Sequence, residues 1–231
     1  MMRKSARAAG LVFLVLSVVE VISLASHIMW VNAIVKPLLM PSLAVAALCA
    51  LLPEQRGWKT ALLAGALALH TAGDVLLLLH GPVLFAAGLV AFLLGHICYL
   101  VILFGRMGRC HGWREKVLCL QPALLAPLIV SLFDTDGAMR ALLPAYALAL
   151  LFVPTGGGIW LLRGRTTGWR IVIGGVLFVA SDTLIAMNVF NGIDFPLHQA
   201  TMMGTYLLAE WLIVSAIVRH LLHAKSSDVV E

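Results

Sequence analysis

The chain has 231 residues with a formal net charge of +5; 61% of its residues are hydrophobic and only 12% are charged. Soluble domains are about 45–50% apolar and about 25% charged, and a soluble domain of this length could not bury so much apolar surface. Intrinsic disorder requires the opposite composition, with low hydrophobicity and high charge. The composition therefore predicts an all-α, polytopic membrane protein.

Eight predominantly apolar stretches are long enough to cross a bilayer, which takes about 20 residues. The breaks between them are short, carry Pro, Gly or charged residues, and leave no room for a soluble domain. We therefore predict a single integral membrane domain over residues 1–231. Its spans lie near 9–29, 33–52, 59–79, 82–104, 115–133, 139–162, 169–190 and 197–222.

The basic residues predict how these spans are oriented. With a cytoplasmic N-terminus, fourteen of the sixteen Lys and Arg residues fall on the cytoplasmic side, and only Lys36 and Arg140 do not. Cytoplasmic loops are enriched in Lys and Arg, so this count favours eight spans with both termini cytoplasmic. It also explains the net charge without a nucleic-acid partner. The fourteen are Arg3, Lys4, Arg7, Arg56, Lys59, Arg106, Arg109, Arg114, Lys116, Arg163, Arg165, Arg170, Arg219 and Lys225.

The first apolar run follows basic residues, as in a signal peptide, but it is longer than a typical signal-peptide core. We therefore expect the first span to be retained. A faint internal repeat also links the two halves, because residues 72–76 resemble 180–184 and Pro37 matches Pro144. An offset of four helices preserves orientation, so the pattern is typical of a parallel 4+4 repeat.

The four cysteines show neither a CxxC pair nor the spacing of metal ligands. We therefore expect free thiols, and the sequence indicates no metal and no other cofactor. The cysteines are Cys49, Cys98, Cys110 and Cys119.

Charged side chains within the spans mark the candidate site, because a charge in a bilayer costs several kcal/mol or more. Asp74 and Asp182 each follow a small residue, Gly73 and Ser181, which leaves room for a ligand. We therefore favour a functional role for the two aspartates. Other polar residues at similar depths can reach the same cavity in the outer half of the bundle: Lys36, His70, His96, Tyr99, Ser181, Asn188, Tyr206 and Glu210.

Four polar residues in the spans are interpreted as packing residues. Buried polar side chains often bond across helices, and such a bond contributes about 0.6 kcal/mol on average. We therefore expect Glu20, His27, Asn32 and His70 to hydrogen-bond to neighbouring helices rather than to act on a ligand.

Two acids in one low-dielectric pocket do not both ionise readily, so one of them keeps a proton. Such a pair supplies a general acid beside a carboxylate, as in glycosidases that pass through an oxocarbenium-like state. The sequence has neither a GxSxG nor an HExxH motif. Acid–base hydrolysis of an acid-labile bond in a lipid therefore fits better than serine or zinc chemistry.

Five segments, in order along nearly the whole chain, resemble the YhhN-like membrane family. They are residues 36–41 (KPLLMP), residues 73–77 (GDVLL), residues 88–99 with GLVAF, His96 and Tyr99, residues 181–186 (SDTLIA) and residues 205–213 (TYLLAEWLI). Characterised members of that family are lysoplasmalogenases, although many have Gln at the position of Glu210. The resemblance implies hydrolysis of the vinyl-ether bond of a lysoplasmalogen, a lysophospholipid substrate that lies in the bilayer.

Under this hypothesis Asp74 and Asp182 are the catalytic pair, and one of them donates the proton. Lys36 holds the phosphate, while His96, Tyr99, Ser181, Asn188, Tyr206 and Glu210 bind substrate or orient the pair. Short loops and a compact size suit a bacterial inner membrane, or the endoplasmic reticulum membrane in a eukaryote.

Two alternatives use the same residues. A small proton-coupled transporter would also need intramembrane carboxylates and an internal repeat. In a lipid-binding or scaffold protein, the acids would only bond to neighbouring helices, and their replacement would lower stability rather than turnover.

Overall fold

Eight α-helices form most of the part of the chain that the computed structural model describes, residues 4–51, 55–105, 110, 112–135 and 137–224. No strand occurs in these ranges, so the all-α prediction is confirmed. The helices are α1 (Lys4–Ala25), α2 (Met29–Ala50), α3 (Trp58–Leu78), α4 (Pro82–Phe104), α5 (Gly112–Val130), α6 (Met139–Leu162), α7 (Gly168–Asn191) and α8 (His198–Ala224).

Seven of these helices are long and apolar enough to cross a membrane, among the residues described. The eighth, α5, has only 19 residues, and it carries charged residues in its first turns and two prolines. The predicted polytopic membrane architecture is therefore confirmed, and the chain is an integral membrane protein. Only α5 differs in composition from an ordinary spanning helix.

The break between the first two helices lies earlier than predicted. α1 ends at Ala25 and α2 begins at Met29, whereas the predicted spans place the break at residues 30–32. In the turn, His27 adopts a φ of 57°, an uncommon value for a residue other than glycine. Only Ser26 and His27 interrupt the apolar residues here, and Ile28 resumes them, so hydropathy alone did not mark the turn.

Seven helices form a closed ring. α1, α2, α3, α4, α6, α7 and α8 contact one another in that order, and α8 returns to α1. α5 lies outside the ring, where it packs mainly against α6. The ring encloses the largest fully buried side chains of the described residues, which include Trp160, Tyr99 and Phe178.

Glycines allow α6 and α7 to approach closely. A Cβ at Gly157 would lie 2.7 Å from the Val172 nitrogen, and one at Gly168 would lie 2.5 Å from the Gly157 oxygen. Such backbone contact across small residues is typical of membrane helices, whose association depends on packing rather than on the hydrophobic effect.

Polar and apolar side chains are distributed as expected for a protein in lipid. Large apolar residues such as Leu11, Leu14 and Val176 face outward, while charged and polar groups such as Asp74 and Glu210 are buried in the ring. This inverted pattern places the charged and polar groups inside the bundle.

The orientation in the membrane and the internal repeat stay predictions. Arg3, Arg106, Arg109 and Lys225, which contribute to the orientation argument, lie outside the described residues. The position of α5 differs from that of α1, its counterpart in a 4+4 repeat, because α1 belongs to the ring and contacts α8.

Candidate functional site

A cavity of about 1050 Å³ lies at the end of the bundle where α3 and α7 end and α2, α6 and α8 begin. The structure brings six of the predicted site residues to its lining: Lys36, Asp74, Ser181, Asp182, Asn188 and Tyr206. They come from α2, α3, α7 and α8, so separate elements supply the groups that meet there. With the predicted orientation, the cavity occupies the outer half of the membrane.

Asp74 is held by two partners. The hydroxyl of Tyr206 donates a hydrogen bond to its Oδ2 at 2.9 Å. The Nζ of Lys36 lies 3.8 Å from its Oδ1, and both side chains are almost completely buried. Asp74 is therefore a buried carboxyl group that faces the cavity between a neutral donor and a cation.

The glycine before Asp74 has a packing function. A Cβ at Gly73 would lie 2.6 Å from the ring of Phe92 on α4. Phe92 in turn packs edge-on against Tyr206, with ring centroids 6.0 Å apart. Gly73 thus lets Phe92 support the tyrosine that bonds to Asp74.

Asp182 also lines the cavity and is also bonded to a tyrosine. Its Oδ2 accepts a hydrogen bond from the hydroxyl of Tyr146 on α6. The preceding Ser181 donates to the carbonyl oxygen of Met202 on α8 at 2.9 Å, which ties α7 to α8. The role of Ser181 here is to fix the helices, while Asp182 stays partly exposed to the cavity.

A second polar layer lies one helical turn further from the cavity end. Glu210 accepts a hydrogen bond from the hydroxyl of Tyr99 at 2.7 Å through its Oε2. Its Oε1 lies 2.6 Å from the Nδ1 of His70, although the ring nitrogen is not aimed in line with it. All three side chains are fully buried, so Tyr99 and Glu210 are behind the cavity wall rather than in it.

α3 and α8 therefore face each other through two levels of contact. Asp74 meets Tyr206 at the cavity, and His70, four residues before Asp74, meets Glu210, four residues after Tyr206. Residues four apart share one face of a helix, so both levels belong to the same pair of faces. His70 thus lies one turn from Asp74 on the same face of α3 and contacts α8; its role as a packing residue stays a prediction.

His96 also lies in this buried layer. Its Nδ1 donates to the carbonyl oxygen of Phe92 at 2.8 Å, and its ring packs against Phe178 with centroids 4.5 Å apart. His96 and His70 are neighbours, with ring centroids 5.1 Å apart. His96 contacts the aromatic residues around the site and does not reach the cavity lining.

Each tyrosine of the chain donates a hydrogen bond to a different carboxyl group inside the bundle. The sequence contains three tyrosines, and they donate to Glu210, Asp182 and Asp74 respectively. Of these donors, sequence reasoning missed Tyr146. The available signal was that a hydroxyl in an apolar helix needs a partner when it is buried.

The model of the YhhN family matches residues 31–217. The chain belongs to the YhhN family. The matched range runs from α2 to α8 and includes all nine predicted site residues as well as Tyr146 and His70. No curated protein and no solved structure gives a match. The YhhN assignment confirms the resemblance drawn from the five sequence segments.

Two of the remaining polar residues of this YhhN protein bond to each other. The amide of Asn32 donates to Glu20 Oε1 at 2.5 Å, which joins α1 to α2 as a packing role predicts. Asn188, at the exposed rim of the cavity, donates to the carbonyl oxygen of Ile193 at 3.3 Å. Asn188 therefore supports the turn after α7.

Among the described residues of the YhhN protein, no group of three or more His, Cys, Asp or Glu side chains is placed to hold a metal ion. The polar centre consists of carboxyl groups paired with tyrosine hydroxyls, together with one lysine at the cavity. Such groups can transfer protons and bind an anion.

Proposed function

We propose that this YhhN protein is a lysoplasmalogenase, which hydrolyses the vinyl-ether bond of a lysoplasmalogen. The products are a fatty aldehyde and a glycerophospho-alcohol that carries choline or ethanolamine. The single observation that carries this proposal is that two carboxyl groups, each bonded to a tyrosine, line one large cavity with a lysine.

The reaction needs an acid and a stabilising anion. An enol ether accepts a proton on its β-carbon, and its π electrons form the new C–H bond. The resulting oxocarbenium ion is captured by water, which loses a proton, and the hemiacetal collapses to aldehyde and alcohol. A positioned carboxylic acid supplies the proton, and a second carboxylate stabilises the cation and orients the water.

The arrangement of the cavity supports this chemistry. Asp74 and Asp182 both line it, and Lys36 lies beside Asp74. The ammonium group of Lys36 is a cation that can bind the phosphate of the substrate. Ligand cavities for small molecules typically measure about 300–1000 Å³, so a cavity of about 1050 Å³ accommodates a glycerophospho headgroup with the reacting bond.

The same proposal includes the location and the partners of the protein. The substrate enters from the bilayer as a lysophospholipid, and membrane lipids surround the outward-facing apolar residues. We assign the protein to a bacterial inner membrane, or to the endoplasmic reticulum membrane if the source is eukaryotic.

Aldehyde release by purified protein tests the function. We expect wild type to release fatty aldehyde from lysoplasmalogen, and Asp74→Asn and Asp182→Asn each to lower turnover at least about 100-fold. The control is Asp134→Asn, because Asp134 is an exposed carboxyl group in the loop after α5. It should keep wild-type turnover.

Folding is checked by size-exclusion chromatography and thermal unfolding of each variant. Near-normal turnover in both aspartate variants would contradict the proposal. Folded wild type that releases no aldehyde would also contradict it and would favour the transporter alternative. Variants that lose stability rather than turnover would favour the scaffold alternative.

A further inference from the structure

A second, smaller cavity adjoins the main one between α4, α5, α6 and α7. Its volume is about 60 Å³, and it is lined mostly by apolar side chains. We call it the tail pocket and define it by Ile129, Val130, Ala147, Leu150 and Val179. Its polar lining residues include Tyr146 and Asp182, the hydrogen-bonded pair described above.

The two aspartates differ in their relation to the two cavities. Asp182 lines both the main cavity and the tail pocket. Asp74 lines the main cavity, where it lies beside Lys36. The two ends of the site therefore differ: the cation Lys36 lies beside Asp74, and the apolar tail pocket lies beside Asp182.

A vinyl-ether lysolipid likewise has an anionic end and an apolar end, with the reacting bond between them. Its ether oxygen leads through glycerol to the anionic phosphate, and its β-carbon leads directly into the hydrocarbon tail. The carbon that receives the proton is thus on the tail side of the reacting bond. Water attacks the adjacent carbon, which is bonded to the ether oxygen on the phosphate side.

We propose that the first carbons of the alkenyl tail occupy the tail pocket and that Asp182 is the proton donor, an inference that rests on the proposed function. With the phosphate at Lys36, the β-carbon lies next to Asp182. The O–H bond of Asp182 breaks as the C–H bond forms, and Asp182 is left as a carboxylate. Asp74 stabilises the cation and orients the water, whose released proton restores the acid.

The size of the pocket sets how much of the tail it holds. A cavity needs about 10–15 Å³ for each water-sized group, so about 60 Å³ holds a short run of carbons rather than a whole fatty chain. The remainder of a long tail extends past the pocket. Because Ile129 and Val130 belong to α5, the inference also gives the helix outside the ring a function as a wall of the pocket.

Filling the pocket tests where the tail lies. Ala147→Phe and Val179→Phe each place a ring in it. The matched controls are Leu148→Phe and Val176→Phe, because Leu148 and Val176 are outward-facing residues on the same helices. Turnover is measured with two lysolipids of one headgroup, one with a hexadecenyl tail and one with a propenyl tail.

We expect each pocket variant to lower kcat/KM for the hexadecenyl substrate at least about tenfold and to change it less than about twofold for the propenyl substrate. In the control variants, the ratio of kcat/KM for the hexadecenyl substrate to kcat/KM for the propenyl substrate should stay at the wild-type value. An unchanged ratio in the pocket variants would overturn the inference. If neither phenylalanine variant folds, Leu150→Ala removes apolar contact from the pocket instead, and it must lower the same ratio.

The pH dependence of the residual activity tests the donor. In Asp182→Asn no carboxylic acid lies next to the β-carbon, so hydronium ions must protonate it and turnover above the protein-free rate should rise about tenfold for each unit of falling pH. Asp74→Asn keeps the acid and should reach a plateau. The reverse pattern, or one pattern in both variants, would overturn the assignment. Wild type that releases no aldehyde would instead defeat the proposed function itself.

Discussion

The carboxyl groups inside the bundle differ in whether their hydrogen-bond donor is neutral or charged. A tyrosine hydroxyl is a neutral donor, so a carboxyl group that bonds to it can still exchange a proton. Glu115 shows the contrast, because Arg163 donates two hydrogen bonds to it, both at 2.8 Å. Such a bidentate ion pair holds the carboxylate ionised and suits a structural role. The tyrosine partners of Asp74 and Asp182 are therefore the ones expected at a site that transfers protons.

The three tyrosines form a matched series of variants. Tyr146→Phe and Tyr206→Phe remove the hydroxyls that bond to the cavity carboxyl groups, and we expect each to lower kcat about 10- to 100-fold. Tyr99→Phe removes the corresponding donor of Glu210, which lies behind the cavity wall. It should lower kcat by much less, while costing a similar amount of stability, about 1–3 kcal/mol.

Turnover and thermal unfolding of the three variants check this prediction. Equal effects of all three on kcat would mean that the hydroxyls act only through packing, and this result would contradict the distinction between the cavity and the layer behind it.

The candidate site residues that the sequence made easiest to find are the charged ones, because placing a charge in a bilayer costs free energy. Asp74, Asp182 and Lys36 stood out because a charge in an apolar span needs a reason. Tyr146 did not stand out, since a tyrosine is compatible with ordinary packing in a helix. His70 was expected on the same face of α3 as Asp74, but its contact with Glu210 was not predicted, since it depends on how α3 and α8 face each other.

α5 is the element whose position the sequence did not predict. Its length and apolar content predicted a membrane span like the others. In the structure, however, α5 lies outside the ring and packs mainly on α6. Arg163, directly after α6, binds Glu115 in the first turn of α5 and joins the two helices at one end. The wall of the tail pocket that α5 provides depends on this attachment.

Breaking that attachment should loosen α5. We expect Arg163→Met to lower the free energy of unfolding by about 1–2 kcal/mol, because it removes the guanidinium that donates two hydrogen bonds to the buried carboxylate of Glu115. The control is Arg140→Met, since Arg140 is exposed near the opposite end of α6. Thermal unfolding in detergent measures both variants, and equal stability of the two would contradict the role of the ion pair.

At the scale of the whole molecule, composition predicted the class of fold and the helix count, but not the order of helices around the ring. The lipid-facing and protein-facing sides of these helices are both apolar, so periodicity says little about which side packs inward. Polar residues were the guide to the interior, and six of the nine predicted site residues, from α2, α3, α7 and α8, line the cavity. The glycines that set the close approach of α6 and α7 act through contacts that appear only in the folded ring.

Hydrolysis of a lysoplasmalogen in D₂O tests the central claim most directly. If a carboxylic acid of the protein protonates the β-carbon, the aldehyde is released with one solvent deuterium on the carbon next to its carbonyl group, provided it is trapped at once as a hydrazone. We predict this singly labelled aldehyde from wild type, and no release from a saturated alkyl-ether lysolipid. Unlabelled aldehyde, or no aldehyde from folded protein, would contradict acid-catalysed cleavage of a vinyl ether.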